Sequence, residues 1–91
     1  MAAVDYYVAE ADERAALAFV AALEEAYDFL ARQPRAGSPR YGQELALPGL
    51  RHWSTPGFPY LIFYVERSDH LDVWRVLHSR RDIPASMQAS E

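Results

Sequence analysis

Residues 60–66 read YLIFYVE, a run in which every residue before the closing glutamate is β-branched, aromatic or leucine. Such a composition fits a pleated strand. Leu61, Phe63 and Val65 fall on one face and Tyr60, Ile62 and Tyr64 on the other, so neither face is frankly polar and both call for cover. Two similar runs flank it, LRHWST at 50–55 and LDVWRVLH at 71–78, separated by Pro56-Gly57 and Ser68-Asp69. Links this short join antiparallel neighbours, so strands near 50–55, 59–66 and 71–78 form a small meander.

Upstream, EADERAALAFVAALEEAYDFLARQP sets Ala16, Phe19, Val20, Leu23, Tyr27 and Leu30 at three- and four-residue spacing. That spacing predicts an amphipathic helix over about 13–33. Asp12 is its candidate N-cap, Asp28 and Arg32 can pair one turn apart, and Pro34 ends it. Val4, Tyr7, Val8 and Ala11 repeat the helical spacing, which makes residues 2–11 the end of another helix. So short a helix is marginal alone and must dock on the longer one as a hairpin. Residues 34–49, PRAGSPRYGQELALPG, hold three prolines and three glycines. They show neither periodicity and read as an irregular strap with Leu45 and Leu47 tucked under it. Beyond the last strand, Ile83-Pro84 introduces a short helical turn or tail.

Ninety-one residues with a 51% apolar fraction make one domain over 1–91, with a core small enough for a partner to complete. The chain has no cysteine, which excludes disulfides, thiol chemistry and cysteine-ligated zinc. All nine basic residues are arginine, so lysine Schiff-base chemistry and a phosphate-loop lysine are excluded too. No apolar run reaches the roughly 20 residues that span a bilayer, and the N-terminus lacks a signal-peptide pattern, so the expectation is a cytoplasmic protein without a membrane partner. Residues 1–33 carry seven acids against Arg14 and Arg32, and residues 34–91 carry six acids against seven arginines. A net charge of -4 disfavours broad binding of nucleic acid and leaves room for one compact basic patch.

That patch is RVLHSRRDIP, residues 75–84, where Arg75, His78, Arg80 and Arg81 gather at the end of the last strand. Arginine offers a rigid fork of donors suited to carboxylates and phosphates, which makes this cluster an anion-recognition surface. Alternation along an uninterrupted strand puts Arg75 on one face with Val73 and Leu77. Taken singly, Arg75 would pair with Glu66 or Asp72, and Arg80 and Arg81 would be solvated or pair with Asp82. Arg51, His52, Tyr60 and Tyr64, with Arg75, His78, Arg80 and Arg81, are of the right types for cleaving RNA through its 2′-hydroxyl. The simpler role for His52 and His78 is a hydrogen bond to neighbouring backbone; His70 is placed in an exposed turn. Trp53 and Trp74 read as core or interface before they read as base-stacking platforms. Glu24, Glu25 and Asp28 line a solvated helix face. No catalytic residue is assigned, no metal-ligand spacing occurs, and no cofactor is expected.

Taken together, ALAFVAALEEAYDFLARQPRAG, LRHW, PYLIFYV and WRVLHSRRDIP resemble the ParE branch of the RelE/ParE superfamily, toxins of bacterial type II toxin–antitoxin modules. The likeness runs from about 13 to 84, and RVLHSRRD with YLIFY is its most specific part. It implies an α+β fold, a helical hairpin packed on a small antiparallel β-sheet with a short C-terminal segment. Family members open with a β-strand before the first helix, whereas MAAVDYYV reads as helix already. The expected fold therefore lacks that first strand and leaves a strand edge open to another chain. The resemblance further implies a toxin that inhibits DNA gyrase and is neutralised by a cognate antitoxin, as a dimer or a higher hetero-oligomer. The antitoxin-binding candidates are Tyr60, Ile62, Tyr64 and Trp74, which exceed what so small a domain can bury. The alternatives are a RelE-like ribosome-dependent mRNA endoribonuclease and a truncated, non-toxic decoy that only binds antitoxin. The absent lysine, the acidic total and the lack of a C-terminal tail carrying a catalytic Tyr or His favour gyrase.

Overall fold

The computed structural model describes residues 13–88, in the order α1 (Glu13–Arg32), α2 (Arg40–Glu44), β1 (Leu50–Ser54), β2 (Tyr60–Glu66), β3 (Leu71–His78) and α3 (Ile83–Gln88). The α+β expectation holds, with a three-stranded antiparallel sheet in the order β1-β2-β3. The expected helix at 2–11 and the Asp12 cap lie outside the described residues.

α1 buries the stripe Ala16, Phe19, Leu23, Ala26 and Leu30, as its periodicity demands. The Gln33 N–H bonds the Phe29 carbonyl at 2.8 Å, and Pro34 then stops the helix. Asp28 and Arg32 form no ion pair; both are exposed, where water competes well with so weak an attraction.

The buried stripe of α1 lies on Tyr60, Ile62 and Tyr64 of β2, with Trp53, Phe58, Leu71 and Val76 around them. Phe19 is fully buried, its ring 5.1 Å from those of Phe58 and Tyr60. The opposite face of β2, with Phe63 and Val65 buried and Leu61 half-buried, packs on Leu50, Leu77, Ile83 and Met87, joined by Tyr41, Leu45 and Leu47. One sheet therefore separates two cores.

The strap at 34–49 departs from the irregular expectation through α2. The Ser38 hydroxyl accepts the Arg40 N–H at 3.2 Å, and Arg40 pairs with Glu44 one turn on. The Leu47 N–H closes the helix on the Gly42 carbonyl at 2.9 Å, with Ala46 left-handed at φ 56. That closure is a Schellman arrangement, and it tucks Leu45 and Leu47 under the strap as expected. The strap also pairs Ser38 with His52, covering part of the edge of β1 that faces away from β2.

β3 is not an uninterrupted strand. Phe63 faces Arg75 while Tyr64 faces Val73, so Trp74 is an extra residue, a bulge. This corrects the face expected for Arg75: it shares the α3 side of the sheet with Leu77, whereas Val73 is paired with Tyr64 on the α1 side.

Candidate functional site

The end of β3, the turn after it and α3 bring Arg75 and Arg81 to one concavity. α3 begins where it does because the Asp82 side chain accepts the Ala85 N–H at 3.2 Å and its carbonyl accepts the Ser86 N–H at 2.9 Å. This is an N-cap. Ile83 and Met87, one turn apart, then seat the helix on Leu77 and Phe63.

The pairings expected for the arginines do not form. Asp72 accepts from Arg67 and from the Trp74 indole, each at 3.2 Å, and Glu66 faces Arg35 at 3.6 Å. Asp82 is occupied as the helix cap. Arg75, Arg80 and Arg81 consequently have no carboxylate partner among the described residues. Arg75 is half-buried and Arg80 and Arg81 are exposed. Unneutralised cations gathered on one face give an acidic protein a local positive potential.

Two shallow concavities meet at Arg75. One, of about 380 Å³, is lined by Asp72, Val73, Trp74, Arg75 and Met87; the other, of about 320 Å³, by Arg75, Leu77, Arg81, Ala85 and Ser86. They form a groove between β3 and α3. The structure thus brings Arg75 and Arg81 together and adds Ser86 and Met87, which sequence reasoning missed. The apolar pair Ile83 and Met87 at i,i+4 was the available signal for a docked helix there.

His78 stands apart from the groove. It pairs with Tyr60, its ring 5.1 Å from that tyrosine, and its Nδ1 accepts the Arg80 N–H at 3.0 Å. The histidine fixes the turn that presents Arg80, which is the backbone role anticipated for it.

The other candidates divide between the two faces. Tyr60, Ile62 and Tyr64 are buried under α1, so these three antitoxin-binding candidates present no surface to a partner. The domain buries them after all, because the long α1 stripe covers them. Trp74 alone of the four is exposed, at 41%, with its neighbour Val73 at 39%. Tyr64 instead fastens the turn after α1: its hydroxyl donates to the Pro34 carbonyl at 2.7 Å and accepts the Gly37 N–H at 3.0 Å. Gly37 is required there, since a Cβ would stand 2.8 Å from the His52 carbonyl and closer still to the Tyr64 hydroxyl. Burial raises the phenol pKa, with the Gly37 bond and Arg51 pulling the other way. Arg51 donates to the Gly37 carbonyl at 2.8 Å, which fixes the same turn.

His52 faces the other core, between Tyr41 at 5.1 Å and Phe63 at 5.8 Å. Burial, and behind it the charge of Arg40, lowers its pKa. Its Nδ1 has no hydrogen-bond partner, so the backbone-bonding role expected of this ring is not seen at that nitrogen. Trp53 stacks on Phe29 at 5.1 Å as a core residue. Among the described residues no cluster of acids and histidines could hold a metal ion, and no helix is long and apolar enough to cross a membrane.

Neither a curated protein nor a solved structure matches the chain. The family model for the ParE toxin of type II toxin–antitoxin systems, parDE, matches residues 2–83, which takes in α1, all three strands and the arginines of the groove. By that match over most of its length, and in keeping with its helix-on-sheet fold, the chain belongs to the ParE toxin family.

Proposed function

We propose that this chain inhibits DNA gyrase, that Arg75, Arg80 and Arg81 form its target-binding surface with His78 holding the turn that presents Arg80, and that it cleaves no RNA. The observation carrying this reading is the division of labour between the two kinds of polar residue. The groups suited to acid–base work are engaged in structure and lie on opposite faces of the sheet: Tyr60, Tyr64 and His78 on the α1 side, His52 on the other. Arg75, Arg80 and Arg81, by contrast, have no carboxylate partner among the described residues. A positive surface without an acid–base pair suits binding an acidic surface of gyrase or its DNA better than it suits catalysis.

Family membership implies a cognate antitoxin. Its docking surface is the edge of β3 that is open among the described residues, where Val73 and Trp74 are exposed, and its carboxylates compete with the target for the arginines. The complex assembles as a dimer or a higher hetero-oligomer.

The deciding experiment measures supercoiling by purified gyrase and mRNA cleavage on translating ribosomes, each with and without the protein. Loss of supercoiling with intact mRNA is expected. Cleavage with unimpaired supercoiling would make the chain a nuclease instead, and inactivity in both assays would favour an antitoxin-binding decoy.

A further inference from the structure

We infer that the groove between β3 and α3 is a binding site for one phosphorylated nucleotide, its base against Trp74 and its phosphate between Arg75 and Arg81. The inference goes beyond gyrase inhibition and uses the groove which that reading assigns to the target. The two concavities differ in chemistry and share a wall. The first offers an exposed indole together with Met87; the second offers two guanidinium groups and the Ser86 hydroxyl. Trp74 is pre-ordered, because its indole nitrogen is tied to Asp72 at 3.2 Å. A fixed, exposed ring is a stacking surface for a planar base. The direction of the ligand follows from the cations: Arg75 and Arg81 both line the second concavity, whereas Asp72 in the first is already paired with Arg67.

The charge arithmetic selects a single nucleotide over an extended strand. A terminal phosphate carries about two negative charges, which the two arginines of the groove neutralise. Each further phosphate of a long strand would meet a protein whose net charge is -4. The source of such a ligand is either a free nucleotide or the 5′-phosphorylated end of a strand, and the two share the chemistry the groove recognises.

The test titrates the full chain with guanosine 5′-monophosphate, guanosine, inorganic phosphate and a glutamate-rich peptide, by calorimetry and by tryptophan fluorescence. Guanosine 5′-monophosphate should bind and quench Trp74, with guanosine and phosphate each at least about tenfold weaker, the loss expected when stacking or its phosphate anchor is removed. Trp74→Ala and Arg81→Ala should each weaken binding by about tenfold. Arg81→Lys should restore part of it, and circular dichroism checks that every variant is folded. Phosphate binding as tightly as the nucleotide would overturn the inference, as would tight binding of the peptide alone, or nucleotide binding indifferent to Trp74→Ala and Arg81→Ala.

Oligothymidylate with and without a 5′-phosphate separates the sources. A 5′-phosphorylated strand that binds as well as the free nucleotide identifies a strand end, and weaker binding identifies a free nucleotide; a strand that binds more tightly than the nucleotide, with or without its 5′-phosphate, would overturn the inference. The variants are run in the supercoiling assay as well. If no nucleotide binds while Arg81→Ala still abolishes gyrase inhibition, the inference falls and the target-binding reading stands. If the nucleotide binds and gyrase is never inhibited, the site survives without that reading.

Discussion

The two faces of the sheet are covered by unlike means. On one, among the described residues, a 20-residue helix lays a continuous apolar stripe over Tyr60, Ile62 and Tyr64. On the other, a five-residue helix with the strap behind it and a six-residue helix divide the cover between them. A long amphipathic helix stays docked when one contact is weakened, because its other turns hold it in place, although the lost contact lowers the stability of the whole fold. A helix of six residues has no independent stability and stays folded only through its cap and two apolar anchors. The α1 side therefore holds the fold, while the α3 side holds the groove on an element that opens at low cost. Functional surfaces are commonly drawn from such weakly held parts.

The strongest way to break this comparison is Phe19→Ala, which empties the centre of the α1 core. A loss of about 3–5 kcal/mol is expected by urea denaturation. Met87→Ala, at the end of α3, should cost less because the terminal helix can shift to fill the space. Equal losses at the two sites would mean that the faces are equally firm. Tyr64→Phe comes next. It keeps the ring and removes the hydroxyl that binds both Pro34 and Gly37, leaving a buried N–H and a carbonyl without that partner. The cost should be about 1–3 kcal/mol, read from the same denaturation curves.

A smaller effect sharpens the contrast. Asp82→Ala removes the cap of α3, worth about 1 kcal/mol. Amide exchange at Ala85 and Ser86, whose N–H groups bond to Asp82, should speed up, while amides in the middle of α1 keep their protection. Simultaneous loss of protection in both helices would show one cooperative unit, not a firm side and a loose one.

Legibility in the sequence followed the same division. α1 and the strands were readable because their apolar spacing is local: Phe19, Leu23 and Leu30 mark a helix before any partner is known. The bulge at Trp74 was not, since an extra residue exists only relative to a facing strand, and the face of Val73 was misjudged for that reason. α2 was hidden in a stretch of proline and glycine because a hydrogen bond accepted by the Ser38 hydroxyl and a left-handed Ala46 define it, not periodicity. The cationic patch was legible as composition. That its arginines lack carboxylate partners among the described residues was not, because Asp72, Glu66 and Asp82 are all present in the sequence and only the fold commits each of them elsewhere.

The smallest stability effect belongs to the change with the largest expected consequence for activity. Arg80 and Arg81 are exposed and form no ion pair among the described residues, so the Arg80→Ala, Arg81→Ala double variant forfeits no carboxylate partner. The one fixed contact in the turn, from the Arg80 N–H to the His78 ring, is made by backbone and survives the substitution. Exposed substitutions of this kind change stability by about 0.5 kcal/mol or less, so the melting temperature and the circular dichroism spectrum should match the parent. Growth inhibition should nonetheless disappear, because the positive potential at the end of β3 falls to that of Arg75 alone. A variant equally stable and equally toxic would show these two arginines to be a solvated strand end and would leave Arg75, with Trp74 beside it, to carry recognition. A variant that lost toxicity together with stability would place the arginines in the fold, contrary to their exposure.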